Sequence, residues 1–233
     1  MPSEFNLLVL TIYFLCVTYV LYQMVNSFSD EYTIKMLKSE LDEQLDKHDL
    51  KDRLEVSFKF DSRYEINNEK TKLKELAITV KNKSQDYPIY VDWDRSSMTD
   101  WFGDGARRII RTIPGSPLDL MQEQVSSVVS PGRALSEKIA AEDIQARKGD
   151  NGPITVSKNL INISQPPSFA PDAKKKGYKN FIEGQAPMFF TLDLALRLID
   201  RDTPATGYPV QVRCKFQLDR LHWTAGLPWN PKK

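Results

Sequence analysis

Nineteen consecutive residues near the start of the sequence carry no charge, and this run constrains the fold more than any other feature. The run covers residues 7–25 and reads LLVLTIYFLCVTYVLYQMV. A helix rises about 1.5 Å per residue, so a helix of this length covers the roughly 30 Å hydrocarbon core of a bilayer. Its threonines can return their hydroxyls to the helix backbone, which makes them tolerable in lipid. The sequence therefore predicts a transmembrane helix over residues 7–25, after an N-terminal tail over residues 1–6.

Other interpretations of this run fit the residues less well. A cleaved signal peptide needs a basic segment before the apolar run and small residues at a cleavage site. Residues 1–6 contain no Lys or Arg, and residues 26–28 read NSF. A lipoprotein needs a small residue just before its cysteine, but Cys16 follows Phe-Leu. The run is apolar on every face, unlike most helices packed on a soluble core. We therefore predict an uncleaved single-pass helix.

Charges beside the run predict its orientation. The N-terminal flank lacks Lys and Arg, whereas Lys35 and Lys38 follow within about 15 residues of the membrane, the range over which flanking charge acts. The positive-inside rule then places the following domain on the cytoplasmic side. The only cysteines, Cys16 and Cys214, lie near opposite ends of the chain and predict no disulfide framework. This agrees with a domain that does not depend on an oxidising compartment.

Residues 26–52 have the pattern of a short helical stalk. Ser29 followed by Asp30 and Glu31 resembles a helix start, with a capping residue and acids at the positive end of the helix dipole. Apolar residues then recur at helical spacing: Tyr32, Met36, Leu37, Leu41 and Leu45. The pattern predicts a helix from about residue 30 to 48. It either extends the transmembrane helix as a spacer or, as we favour, packs on its own domain.

Residues 53–222 have the alternating pattern of a β domain. Apolar and polar residues alternate in segments that predict strands near 54–60, 76–81, 89–93, 107–113, 125–129, 190–198 and 210–219. The last two predict an antiparallel hairpin. In the middle of the domain, residues 135–146 predict a short helix and residues 154–163 predict two short strands or a bulge. Residues 165–184, with three prolines, predict a long surface loop. The fold class predicted is mainly β: an antiparallel immunoglobulin-like β-sandwich, followed by a Trp- and Pro-containing tail over 223–233.

The sequence lacks the signatures of common enzymes and metal sites. It has no Gly-x-Ser-x-Gly, no phosphate-binding glycine loop and no Cys-x-x-Cys, and its two histidines, His48 and His222, lie far apart. Asp92 and Asp94 share a strand face, but two carboxylates are an incomplete Ca²⁺ shell. We favour Trp93 as a core residue, with 94–96 as a strand-ending turn. These patterns predict a protein that is not an enzyme and needs no cofactor or metal.

Two basic clusters are candidate contacts for a partner or a membrane. The first holds Arg107, Arg108 and Arg111, and the second Lys174, Lys175, Lys176 and Lys179 around Tyr178; Trp229 in the tail is a further candidate. Near an anionic leaflet each lysine contributes about 1 kcal/mol to the free energy of membrane binding. The alternative is a solvated surface loop, since charge runs usually face water. Nucleic acid fits poorly, because the whole chain has a net charge of only +1.

Two stretches resemble a known group of proteins. PIYVDWDRSSMTDWFGDGARRIIR, followed by QVSSVVSPGRAL, is similar to membrane-bound or lipid-anchored bacterial β-sandwich proteins of unknown function, and the ending LPWNP with the hairpin before it resembles uncharacterised cyanobacterial membrane proteins. The resemblance implies a plasma or thylakoid membrane. It transfers no activity and no site residues.

The function predicted from these features is that of a non-enzymatic membrane-anchored accessory or assembly protein. Its β-sandwich would bind a membrane protein complex. Three alternatives stay open. They are a lipid- or small-ligand-binding sandwich with a pocket between its sheets, a hydrolase assembled around His222 or around Asp92 and Asp94, and a cell-envelope structural protein of the opposite topology.

Overall fold

The apolar run lies within one long helix in a computed structural model that describes residues 2–27, 30–66, 72–101, 103, 105–112, 123–147, 154–156, 158–199 and 207–226. This helix, α1, spans Pro2–Ser27. Its segment Glu4–Tyr22 is long and apolar enough to cross a membrane, and none of that segment is buried against the rest of the structure. The hydroxyl of Thr11 donates to the carbonyl of Leu7 at 2.8 Å, so this polar group is satisfied within the helix.

The rest of the described chain is mainly antiparallel β structure. Its strands are β1 Glu31–Met36, β2 Leu54–Lys59, β3 Tyr64–Glu65, β4 Leu76–Asn82, β5 Ile89–Thr99, β6 Ala106–Arg111, β7 Ser127–Val129, β8 Ala134–Ala141, β9 Gln145–Arg147, β10 Ile154–Val156, β11 Met188–Leu198 and β12 Tyr208–Arg220. Two further helices are α2 Lys38–Lys47 and α3 Asp172–Ile182, and short 3₁₀ turns span Glu142–Ile144 and Trp223–Gly226.

Most of these strands form one curled sheet. Its order is β2-β4-β8-β6-β5-β11-β12-β1-β3, with β7 also paired to β5, while β9 and β10 form a separate hairpin. The sheet curls until β2 lies across from β12, where the rings of Phe58 and Phe216 are 4.8 Å apart. The enclosed face holds the core. The mainly β prediction is confirmed. The immunoglobulin-like sandwich is not confirmed, because ten of the twelve described strands form one curled sheet.

The strands with the cleanest alternation form as predicted. β11 and β12 pair in register along their whole length, with Leu192 opposite Cys214 and Phe190 opposite Phe216. These four side chains are buried on the inner face. Their neighbours along each strand point to the other face, since strand side chains alternate.

The prediction of a helix from about residue 30 to 48 is wrong in its first half. Residues 31–36 form β1, which pairs with β12 on one side and β3 on the other. Tyr32 and Ile34 are buried, and Thr33 and Lys35 alternate with them, so the segment also has a strand period. The hydrogen bonds offered by the β12 edge decide between the two patterns, since tertiary pairing overrides weak local propensity.

The second half of that segment is helical but does not form a stalk. Leu41 and Leu45 of α2 are buried in the core. The side-chain amide of Gln44 donates to the carbonyl of Arg213 at 3.0 Å, and the amide of Arg213 donates back at 3.0 Å. The favoured interpretation, a helix packed on its own domain, is therefore confirmed for residues 38–47.

Two other local predictions are wrong. Residues 134–141 form β8 rather than a helix, because this segment fills the position between β4 and β6 and completes their hydrogen bonding. The predicted loop over 165–184 contains α3 in its second half. All three prolines precede α3, so none interrupts it, and Phe181 secures the helix to the core with a fully buried ring.

β5 is longer than predicted because a bulge lets it continue past Asp94. Asp92 pairs with Ala195 and Ser97 with Asp193, so residues 93–96 lie opposite the single residue Leu194. Ser96 stabilises the bulge: its hydroxyl donates to the carbonyl of Asp92 at 2.6 Å and accepts from the amide of Ala195 at 2.9 Å. The predicted strand-ending turn at 94–96 is wrong. Trp93 is a core residue, as predicted, with no exposed surface.

Candidate interaction surfaces

The chain passes from α1 into one defined end of the sheet. β1 begins at Glu31, four residues after α1 ends at Ser27, a separation of at most about 14 Å for an extended chain. Arg220, at the end of β12, lies opposite Tyr32. Met188, at the start of β11, pairs with Leu218, which also pairs with Ile34. We call the end of the sheet formed by Glu31, Arg220 and Met188 the α1 end.

A buried ion pair closes the α1 end. Nη1 of Arg63 lies 2.6 Å from Oε2 of Glu31, and both side chains are nearly buried. The same guanidinium donates to the carbonyl of Ala225 at 2.9 Å. Arg220 pairs with Asp30 next to it. The first residues after α1, the turn before β3 and the last described residues are thus tied together.

Helix α3 lies beside the α1 end. Five residues separate its end, Ile182, from the start of β11. The ring of Tyr178 stacks on Trp101 with 6.3 Å between centroids and 22° between planes. Trp101 follows β5 by two residues, and its indole N–H donates to the carbonyl of Asn162 at 2.8 Å. Tyr178, a candidate contact residue from its sequence position, therefore packs within the domain and holds the helix against Trp101.

The lysines of α3 form a basic surface beside an exposed aromatic ring. Lys174, Lys175, Lys176 and Lys179 face solvent wholly or in part. Lys175 pairs with Asp172 at 3.4 Å and Lys179 with Glu183 at 3.7 Å, so four lysines stand against two acids on this segment. Phe169, three residues before α3, is 89 % exposed. This combination of cationic and exposed aromatic groups suits an anionic or amphipathic partner. We call it the α3 surface.

A cleft of about 510 Å³ opens beside the same helix. Its lining mixes aromatic, aliphatic and charged groups: Gln165, Pro166, Ser168, Lys175, Tyr178, Lys179, Ile182 and Glu183. Its size falls within the range of small-ligand sites, about 300–1,000 Å³. The cleft lies on the outer surface, between α3 and the proline-containing segment before it.

The three arginines of the first basic cluster bind within the domain. Nε of Arg107 donates to Asp143 at 2.9 Å, and its Nη1 donates to the carbonyl of Leu160 at 2.7 Å. Nη2 of Arg108 donates to Asp94 at 2.5 Å, and Glu142 lies 3.5 Å from the same guanidinium. Their charges are balanced by these acids. Both arginines connect β6 to neighbouring segments.

Arg108 also explains why the Asp94 carboxylate is ionised. Burial opposes its ionisation, but hydrogen bonds from Arg108 and Gln124 outweigh burial and hold the pKa of Asp94 below its usual value. The backbone amide of Gln124 donates to Oδ2 of Asp94 at 2.6 Å. Asp94 is therefore an ionised structural group that accepts hydrogen bonds from β6 and from the segment before β7.

Arg111 belongs to a buried polar cluster around Trp93. Its guanidinium lies 5.9 Å from the Trp93 ring centroid, a cation–π distance. Arg111 donates to the hydroxyl of Ser127 at 3.0 Å, and the Trp93 indole N–H donates to the same oxygen at 2.9 Å. Arg111 thus contributes to packing within the domain.

The residues of the suggested hydrolase site belong to separate networks. His222 contacts the hydroxyl of Thr224 at 2.9 Å at the α1 end, whereas Asp94 binds Arg108 and Gln124 at the β5 bulge. Asp92 pairs with Arg95 at 3.6 Å. Within the described ranges, no group of three or more His, Cys, Asp or Glu side chains could hold a metal ion.

A second lysine-lined cleft, with a volume of about 360 Å³, is not predicted from the sequence. It is lined by Lys59, Asp61, Tyr64, Lys72, Leu73, Lys74, Glu75, Ala77 and Lys138. We call it the lysine cleft. Its lysines come from three places along the chain: Lys59 and Lys138 are brought together by strand register, and Lys72 and Lys74 lie in the segment that leads into β4. The one sequence signal is that Lys59 occupies an outward position of a strand with clear alternation.

Trp229, the last candidate residue, lies outside the described residues. Comparison of the chain with protein-family models, with curated proteins and with solved structures finds no match in any of the three.

Proposed function

We propose that the chain is a single-pass membrane-anchored accessory or assembly protein whose β domain binds a membrane protein complex. The observation that carries this proposal is the position of the α3 surface. The helix long enough to cross a membrane has none of its apolar segment buried, and it leads within four residues into the sheet end beside α3. An anchored domain would hold that surface close to a bilayer and to whatever protein lies in it.

The orientation is part of the proposal. The positive-inside rule favours a cytoplasm-facing domain. The resemblance to cyanobacterial membrane proteins favours a plasma or thylakoid membrane. That the domain has an immunoglobulin-like β-sandwich fold stays a prediction from the sequence. The domain is proposed to act by binding, without catalysis and without nucleic acid.

The α3 surface is the proposed contact with the partner. Its lysines give the segment an excess of positive charge, and Phe169 adds an exposed apolar group. Aromatic residues contribute strongly at protein interfaces, and complementary charge speeds association. The arginines on β6 contribute less, because each is bound to groups of its own domain.

Two measurements test this proposal. Carbonate extraction of membranes should leave the full-length chain in the pellet. Affinity purification from detergent-solubilised membranes should then recover a stoichiometric partner. Replacing Lys174, Lys175, Lys176 and Lys179 by Gln should reduce recovery of that partner.

The matched control replaces four exposed lysines away from α3, namely Lys47, Lys51, Lys81 and Lys83, by Gln. It makes the same change in net charge and should leave recovery of the partner unchanged. A chain released by carbonate would contradict the anchor. A chain that is recovered alone, or whose partner responds equally to both variants, would contradict the α3 surface.

A lipid- or small-ligand-binding domain is the second candidate, and the cleft beside α3 favours it. The cleft of about 510 Å³ combines Pro166, Tyr178 and Ile182 with two lysines. Such a mixture suits an amphipathic ligand with an anionic group. Mass spectrometry of the purified full-length protein should then detect a bound small molecule that is lost from an Ile182→Trp variant, whose larger ring fills the cleft.

A further inference from the structure

We propose that the lysine cleft binds the anionic headgroup of a phospholipid in the leaflet from which the chain emerges. The cleft lies on the outer face of the curled sheet, separate from α3. The proposal rests on the membrane anchoring proposed above and adds a specific ligand class to it. Three features carry it: the row of residues that forms the cleft, its charge and its distance from α1.

Strand register builds the floor of the cleft. Lys59 of β2 pairs with Ala77 of β4, and Ala77 pairs with Lys138 of β8. These three residues therefore form one row across adjacent strands, on the face away from the core. Neighbouring strands lie about 4.8 Å apart, so the two lysines flank a gap whose floor is a single methyl group. A larger residue at position 77 would fill this gap.

The charge of the cleft suits an anion. Lys72 and Lys74 add two further ammonium groups, and both are partly buried where the chain approaches β4. Two acids, Asp61 and Glu75, also line the cleft, and Glu75 lies 3.5 Å from Lys138. Among the described residues that line the cleft, four lysines stand against two acids, a lining that suits a phosphate ester. Lysine binds phosphate as a point charge with freely rotating donors.

The position of the cleft favours a lipid over a free phosphate ester. Tyr64, which lines the cleft, pairs with Tyr32, and their rings stack with 5.6 Å between centroids. Tyr32 is the second residue of β1, so it lies five residues beyond the end of α1. Arg63, next to Tyr64, is held by Glu31, the first residue of β1. The cleft is therefore fixed to the first residues that leave the helix, where headgroups of an anionic leaflet would lie.

The test uses the full-length protein in micelles of a neutral detergent. Native mass spectrometry measures how much phosphatidylglycerol and how much phosphatidylcholine of the same acyl chains the protein retains. The key variant is Ala77→Ile, which fills the floor without changing charge. The matched control is Thr79→Ile, the next outward position of the same strand, two residues away from the cleft. A second variant, Lys59→Gln with Lys138→Gln, alters exposed positions only.

We expect the wild type to retain phosphatidylglycerol in preference to phosphatidylcholine. The double lysine variant should lower this retention about tenfold or more, as expected when two ammonium groups are lost. Ala77→Ile should also lower it, because the larger side chain occupies the space between the two lysines. Thr79→Ile should retain the lipid as the wild type does. Thermal melts monitored by circular dichroism should show that all variants fold.

Three results would overturn the proposal. The first is equal retention of phosphatidylglycerol by Ala77→Ile and Thr79→Ile. The second is that the wild type shows no preference for phosphatidylglycerol over phosphatidylcholine. The third is displacement of the lipid by an equal concentration of glycerol phosphate, which would assign the cleft to a free phosphate ester. Binding in micelles does not require α1 to span a bilayer. Failure here is therefore distinguishable from failure of the carbonate extraction.

Discussion

The residue whose loss should cost the fold most at the α1 end is Arg63. Its guanidinium is the partner of the nearly buried Glu31 carboxylate and also donates to Ala225. In an Arg63→Met variant the Glu31 carboxylate would lose this cation while staying nearly buried. Removing one partner of a buried ion pair typically costs about 3 kcal/mol or more. We therefore expect the free energy of unfolding to fall by about that amount. Urea unfolding of the protein in micelles, monitored by tryptophan fluorescence, measures it.

A matched variant shows whether burial is the reason. Lys51 pairs with Asp46 at 2.6 Å, but both side chains are more than half exposed. Lys51→Met should leave the unfolding midpoint unchanged, because exposed pairs contribute little. Equal losses in the two variants would contradict the special role of the Glu31–Arg63 pair.

The thiol of Cys214 should be unreactive toward maleimide in the folded protein. Its side chain is fully buried on the inner face of β12, and burial raises the pKa of Cys214 to about 12, with a smaller contribution from the Asp193 carboxylate. Since the thiolate is the reactive form, at pH 8 only on the order of 10⁻⁴ of a group with such a pKa is reactive. In a Cys16→Ser background, maleimide should label Cys214 only in denaturant. Rapid labelling of the native protein would show that this part of the core opens.

At the scale of elements, α2 provides a direct test of the corrected stalk. Leu45 is 3 % exposed, and the helix also shares two hydrogen bonds with Arg213 on β12. Truncating a buried leucine leaves a cavity and costs about 2–5 kcal/mol. Leu45→Ala should therefore destabilise the whole domain and raise amide exchange over residues 38–47. Asp42→Ala, an exposed change on the same helix, should do neither. A helix that acted as a free spacer would tolerate both.

Elements could be predicted from the sequence where one periodicity had no competitor. β2, β4, β11 and β12 alternate cleanly, and they form as predicted. For β1 and β8 the sequence predicts helices instead, because short apolar segments fit a helix and a strand alike, and their neighbours in the sheet decide. The sequence does not predict α3, because three prolines suggest a loop, although all of them precede the helix.

At the scale of the whole molecule, the candidate surfaces could be predicted from the sequence only where their residues are neighbours in the chain. The α3 lysines are contiguous in sequence and were predicted as candidate contacts. The arginines on β6 were predicted too, but the sequence did not reveal that Asp94, Asp143 and Ser127 bind them. The lysine cleft depends on the register of β2, β4 and β8, a long-range property that residue patterns do not contain. The α3 surface and the lysine cleft both lie near the α1 end, whereas Arg111 contacts Ser127, which lies on β7 opposite the early part of β5.

Topology is the last whole-molecule prediction, and flanking charge is expected to decide it. In sealed vesicles with the cytoplasmic face outward, added protease should digest the β domain, whereas intact spheroplasts should protect it. A variant with Glu4→Lys and Asn6→Lys places positive charge on the other flank of α1 and should invert a fraction of the molecules. Glu4→Gln with Asn6→Gln, which adds no positive charge, should not. Protection of the domain in the outward-facing vesicles would reverse the topology. It would then place the α3 surface and the lysine cleft against the opposite leaflet.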